Sequence, residues 1–219
     1  MKLKQIFIIN SIFMVGMLAL SAWTWKQLPP NAQIPTRFDL SGSPITYMGK
    51  EALLICPLMV LLMIITDLVQ LKIEPDKYNL RRSNKAYTAV SVATVAFFAS
   101  VHVIIILTGL GKSIDVATAI DIILGLFLIV IGNYLSKIRR NHTFGVRNRW
   151  TISSKLAWQR THRLGGWLLV INGFTFLVAG WQSNTILVIG SIIALLIISL
   201  VILPVYSYLV WKTNSNRSP

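Results

Sequence analysis

Two histidines, His142 and His162, stand in one strongly basic stretch between apolar segments. A pair of imidazoles could begin a metal site or share acid–base work. The stretch 136–164 contains no Asp or Glu, so no third ligand and no catalytic carboxylate accompanies them. The sequence also has no glycine-rich phosphate loop and no serine elbow with triad partners. The single cysteine, Cys56, lies in an apolar block and reads as a small hydrophobe; one cysteine makes no intrachain disulfide and no cysteine metal cluster. The chemistry-bearing residues therefore point away from an enzyme, and no cofactor or metal is expected.

Asp67, His102, Asp121 and Asn172 fall inside apolar blocks. An ionisable side chain exposed to lipid is costly, so each is expected to face other helices or to reach the headgroups. Asp67 can reach Arg81 or Arg82, and Asp121 can reach Lys112. His102 lies deeper, in the same half of the membrane as Asp121, and the two could share a polar site. That pairing motivates one alternative function, a small solute or proton-coupled transporter. The plainer reading of each is a hydrogen bond between helices.

The elements that carry these residues follow from composition. Of 219 residues, 54% are hydrophobic and 13% are charged, against about 25% charged in an ordinary soluble domain. Six apolar blocks approach or exceed the length that crosses a bilayer: Ile6–Trp25, Ala52–Val69, Tyr87–Leu110, Val116–Leu135, Gly166–Trp181 and Thr185–Trp211. The fifth is short and is expected to extend back through Arg163 and Leu164. The fold class is thus an all-α integral membrane protein with six transmembrane helices, a structured outer loop and a basic cytoplasmic loop. Pro57 and Pro204 lie inside blocks and predict kinks. Trp23, Trp25, Tyr87, Trp167, Trp181, Tyr208 and Trp211 fall near block ends, where amphipathic rings favour the headgroup zone.

The net charge of +14 admits nucleic-acid binding or membrane topology, and its distribution favours topology. Lys2, Lys4, Lys72, Lys77, Arg81, Arg82, Lys85, the basic residues of 136–164, Lys212 and Arg217 all fall on one side. Only Lys26, Arg37, Lys50 and Lys112 fall on the other. Basic residues concentrate in cytoplasmic loops, which places both termini in the cytoplasm. No aromatic–basic platform of the usual nucleic-acid modules accompanies the charge.

Two loops carry information beyond topology. The outer loop 26–50 is dense in Pro, Gly, Ser and Asn, and it reads as a packed external cap, with Phe38 and Leu40 flanking Asp39 in a short extended segment. The cytoplasmic loop 136–164 faces anionic lipid headgroups or an acidic partner. Phe144, Trp150 and Trp158 are expected to dip into the interface. Thr151, Ser153 or Ser154 can cap a helix carrying Leu156, Trp158 and His162 into the fifth block. Asn133 and Asn141 are expected to hold the loop through hydrogen bonds to backbone, Gly145 to permit a turn, and Arg147 to grip a carboxylate or phosphate with its planar fork.

The run Gly132-Asn133-Tyr134, Lys137, Asn141, Phe144-Gly145-Val146-Arg147, Trp150-Thr151, Trp158 and Thr161-His162-Arg163 resembles the signature of the SdpI family of bacterial membrane proteins. Leu28-Pro29, Ile34-Pro35-Thr36, Phe38-Asp39, Gly42 and Lys50 resemble the N-terminal domain of unknown function that accompanies it. Where that family typically has Thr-Pro before the second-motif Trp, this chain has Asn148-Arg149. The resemblance implies two units, residues 1–75 as a two-helix unit with the outer loop and residues 76–219 as a four-helix SdpI-like unit. It implies a multi-pass protein of the bacterial cell membrane that confers resistance to a secreted antimicrobial peptide and sequesters a cytoplasmic transcriptional repressor. Its implied site residues are Asn133, Asn141, Phe144, Gly145, Arg147, Trp150, Thr151, Trp158, His162 and Arg163 inside, with Pro35, Phe38, Asp39 and Gly42 outside. Implied partners are the bilayer with its anionic lipids, a peptide toxin outside and a soluble repressor inside, with no direct contact to nucleic acid.

Overall fold

The computed structural model describes residues 3–213. Lys2 and Arg217, used above for topology, lie outside the described residues, as do both termini. The order is α1 (Leu3–Gln27), strands β1 (Ile34–Phe38) and β2 (Pro44–Met48), a 3₁₀ turn Lys50–Leu54, α2 (Ile55–Ile73), a short α3 (Lys77–Arg82) and α4 (Asn84–Gly109). Then follow α5 (Val116–Leu135), a short α6 (Arg149–Ser153), α7 (Lys155–Trp181), and α8 (Thr185–Ile197), which passes through a π-helical stretch Ile198–Ile202 into α9 (Leu203–Lys212). Six helical segments are long and apolar enough to cross a membrane: Ile6–Gln27, Lys50–Ile73, Asn84–Gly109, Val116–Leu135, Lys155–Trp181 and Thr185–Lys212. They match the six blocks, with the fifth reaching back to Lys155, further than hydropathy alone suggests. Ser154 caps it, its side chain accepting the N–H of Ala157 at 3.2 Å.

The outer loop is an antiparallel hairpin rather than one extended segment. Leu40 falls in its turn, where Gly42 takes φ +84°, a conformation that favours glycine. Asp39 organises the turn: its Oδ1 accepts the N–H groups of Ser41 and Ser43, both at 2.9 Å, and the Ser41 hydroxyl at 2.6 Å. Ile34 is wholly buried and packs on Gly109 at the end of α4. Lys50 donates to the carbonyls of Trp25 and Leu28, satisfying the free end of α1. Pro35, in β1, and Pro44, opening β2, sit in a two-stranded sheet where both strands are edges, which suits a residue without an N–H.

Two prolines behave differently from one another. Pro57 produces no break in α2: it occupies the first turn, where a backbone N–H has no intrahelical partner to lose. Pro204 follows the π stretch, and the helix register changes there.

The helices associate in two distinct ways. In the first half, Asn10 on α1 donates to the Ser91 hydroxyl on α4 at 2.9 Å, and Ser91 donates to the Asp67 carboxylate on α2 at 3.1 Å. All three are buried, and a core including Val60, Ile64, Val95 and Ile105 fills these helices toward the hairpin. In the second half, α5 and α7 run antiparallel with glycine against glycine. A Cβ on Gly132 would lie 2.6 Å from the Gly166 carbonyl oxygen, and one on Gly125 would lie 2.7 Å from that of Gly173. The two backbones therefore touch, the arrangement that small residues permit between membrane helices.

Candidate functional site

The basic connection between α5 and α7 is folded in detail. Asn141 is buried; its Oδ1 accepts the N–H of Thr143 (2.9 Å) and of Phe144 (2.6 Å), and its amide donates to the Arg139 carbonyl at 2.8 Å. Gly145 follows with φ +106°. A Cβ there would stand 2.5 Å from His162 Nε2. His162 is wholly buried: Nε2 accepts the Val146 N–H at 3.0 Å, and Nδ1 faces the Trp158 carbonyl at 2.8 Å. An acceptor at Nε2 and a donor at Nδ1 define the neutral imidazole with its proton on Nδ1. Trp158 stacks on the His162 ring at 4.1 Å and donates its indole N–H to the Ile138 carbonyl at 2.8 Å. Thr151 closes the far side, donating to the Val146 carbonyl at 2.9 Å and forming a capping box with Asn148.

The loop is also docked on its neighbours. Glu74, 1% exposed beyond the end of α2, accepts the His142 N–H at 3.0 and 3.2 Å. The Ser83 hydroxyl, between α3 and α4, accepts the Arg139 N–H at 2.8 Å. Phe144 packs edge-on against Tyr87, Trp150 against Tyr208, and Asn148 donates to Ser207 of α9 at 2.8 Å. Glu74, Ser83 and Ser207 were not singled out in the sequence, because the residues they meet lie 56 to 68 positions away.

Several expectations change. Trp158 does not dip into the interface; it is 1% exposed because its indole N–H and ring are both used inside. Phe144 and Trp150 are half-buried against Tyr87 and Tyr208, and Tyr87, expected at the headgroups, is buried. Asn133 does not hold the loop: it is exposed on α5, one position beyond the buried Gly132. Arg147 is exposed, with one guanidinium nitrogen donating to the His142 carbonyl, so one arm of its fork holds the loop's own backbone. Arg163 is exposed on α7.

The polar residues inside the helices are separated. Asp67 meets Ser91, and neither Arg81 nor Arg82, both exposed, is its partner: Arg82 donates to the Tyr78 hydroxyl. His102 is directed at α1, with Nε2 at 3.2 Å from both the Ser21 hydroxyl and the Met17 carbonyl. Asp121, on α5, is directed at α7 instead, its Cβ 3.1 Å from the Cβ position of Gly180, in a hollow shared with the hairpin residues Phe38, Asp39 and Leu40. The geometry does not bring His102 and Asp121 into one site. Asn172 joins α7 to α8 by donating to the Ser191 carbonyl at 3.1 Å. Outside the spans, the hydrogen bonds from Ser41 and Ser43 hold the Asp39 carboxyl below the usual carboxylate range. Among the described residues no group of three or more His, Cys, Asp or Glu could hold a metal.

Six apolar helices tied by glycine contacts and buried hydrogen bonds, with one ordered basic loop, define a multi-pass α-helical membrane protein. Within that class, residues 137–207 match the SdpI/YfhL protein family, and residues 12–61 match a domain of unknown function, DUF1648. Over 113 residues the chain is 29% identical to the immunity protein SdpI of Bacillus subtilis (strain 168), covering 51% of this chain and 54% of that protein. The match thus spans about half the length of that relative. No solved structure matches the chain. Both motif resemblances read from the residues are borne out, and the helices and matches together support a multi-pass protein of a bacterial membrane.

Proposed function

We propose that this protein protects a bacterial cell against a secreted antimicrobial peptide, with its basic end in the cytoplasm and its hairpin outside. The similarity to an immunity protein carries this reading, and the family match begins at Lys137, where the ordered loop begins. In this reading residues 1–75 and 76–219 are the outer-sensing and inner-signalling units. The hairpin residues Pro35, Phe38, Asp39 and Gly42 meet the peptide. The loop built on Asn141, Gly145, Trp158 and His162 presents Arg147 to a soluble repressor and holds it at the membrane.

Expression in a toxin-sensitive host tests the first claim: survival against secreted antimicrobial peptides rises with the intact chain, and no gain at normal protein level removes it. Arg147→Lys tests the second by preserving charge while removing the planar fork. Normal insertion with loss of repressor recruitment is expected. Unchanged recruitment assigns the loop to topology alone. Reporter fusions after Gln27 and Leu110 outside, and after Ile73, Leu135 and Lys212 inside, test the orientation.

A further inference from the structure

The basic end holds a cavity of about 630 Å³ lined by Arg82, Lys137, Arg139, Arg140 and Lys155 and by no acidic side chain. That volume lies within the roughly 300–1,000 Å³ of small-ligand sites. Its cations are not neutralised by carboxylates. Lys137 sits 4.4 Å above the Tyr134 ring, Arg82 stacks on Tyr78 and donates to its hydroxyl, and Arg140 donates to the Ile152 carbonyl at 3.3 Å. The nearby carboxylate of Asp76 is engaged by the backbone and side-chain amides of Asn79.

A second hollow of about 570 Å³ continues from the first, sharing Ser136, Lys137 and Gln159. It runs down the outside of the α5–α7 pair past Arg163, Ile129 and Val170 to Trp167, which is 65% exposed. Its floor includes Gly132 and Gly166, whose backbones approach so closely that neither position has room for a side chain. The seam that joins the helices thus leaves a trough in which Ile129, Trp167 and Val170 offer an apolar wall beside Asn133 and Arg163. Phosphate-binding chemistry above and hydrocarbon-binding chemistry below meet at Lys137.

We propose that cavity and trough form one site for an anionic phospholipid of the adjoining leaflet. The headgroup phosphate sits among Lys137, Arg140 and Lys155, and an acyl chain lies along the trough against Val170 and Trp167. Basic pockets between membrane helices take lipid phosphates in this manner. A zwitterionic lipid is disfavoured, because its ammonium finds no carboxylate in the lining and stands among cations.

The test is lipid retention by the detergent-purified full chain, offered phosphatidylglycerol and phosphatidylcholine in equal amounts and followed by native mass spectrometry. Phosphatidylglycerol is retained in preference. Each cation removed weakens it roughly fivefold, so the triple variant Lys137→Gln, Arg140→Gln, Lys155→Gln loses about 100-fold. The triple variant Arg81→Gln, Arg149→Gln, Arg160→Gln removes the same charge from exposed positions outside both hollows and retains the lipid. Should the first triple not fold, the single variant Lys155→Gln shows the fivefold loss. Equal loss in both triples overturns the proposal, as does equal retention of the two lipids. Inorganic phosphate or glycerol phosphate, which lack chains, bind at least tenfold more weakly; equal binding reduces the site to a free-phosphate pocket and also overturns it.

Discussion

The two halves of this bundle solve one problem in opposite ways. Lipid offers no hydrophobic drive for helices to associate, so packing and hydrogen bonds must supply it. The α1–α2–α4 group uses side chains: Asn10, Ser91 and Asp67 form a chain across three helices. The α5–α7 pair uses backbone: Gly125 and Gly132 meet Gly173 and Gly166. A side-chain tie survives small changes in helix position, because rotamers adjust. A backbone contact has no such slack and fixes one separation. The ordered basic loop spans the ends of the rigid pair, which suits a site whose geometry is set by short hydrogen bonds.

The sharpest way to break the comparison is to give the seam a side chain. Gly166→Val places its Cβ 2.6 Å from the Gly132 carbonyl oxygen; the helices must part, at a cost of about 3 kcal/mol or more. Gly16→Val, where nothing lies within 4 Å, stays within about 0.5 kcal/mol. Thermal unfolding in micelles checks both, and equal effects would end the distinction. Next comes Gly145→Ala, which meets both an unfavourable φ and the His162 ring and loses about 2 kcal/mol. Its readout is faster hydrogen exchange at the Val146 amide. Ser91→Ala severs the side-chain chain at its middle and costs about 1 kcal/mol, in keeping with interhelical bonds in membranes. The smallest effect sharpens the contrast at the hairpin. Asp39 has its carboxyl pKa depressed by Ser41 and Ser43, so its contribution is full above the ordinary carboxylate range and fades as the pH falls through the lowered value. Protection of the Ser41 and Ser43 amides, measured against their intrinsic exchange rates, then falls in acid, and Asp39→Asn abolishes that pH dependence.

The six spans were legible because hydropathy over twenty residues is a strong signal, and the α7 cap was narrowed to Thr151, Ser153 or Ser154 by residue type, with Ser154 the one that caps. The backbone hydrogen bonds of Asn141 and the turn at Gly145 were legible because each acts on neighbouring residues; the packing of Gly145 against His162 was not. Trp158 was misread because a basic, aromatic loop looks interfacial until Ile138, twenty residues earlier, supplies a partner for its indole. The Asn10–Ser91–Asp67 chain was hidden by separations of 81 and 24 residues. The glycine seam did leave a signal in the seven-residue spacing of Gly125 and Gly132 and of Gly166, Gly173 and Gly180; the hydropathy of the blocks masked it.

The π stretch before Pro204 has a consequence for phase. On α8 and the first residue of the π stretch the buried positions are Val188, Ser191 and Ile198; on α9 they are Leu203, Ser207 and Val210. Steps of three, four or seven hold within each set, while the step from Ile198 to Leu203 is five, the interval of a π turn. In an unbroken α-helix Ser191 and Ser207 would point about 160° apart; one extra residue rotates the lower stripe by about 100° and leaves about 60° between them. The last helix can therefore turn the Ser191 position toward α7, where its carbonyl accepts from Asn172, and the Ser207 hydroxyl toward Asn148 of the basic loop. Deleting any one residue between 199 and 202 would restore a regular helix and turn Ser207 away from the loop it holds.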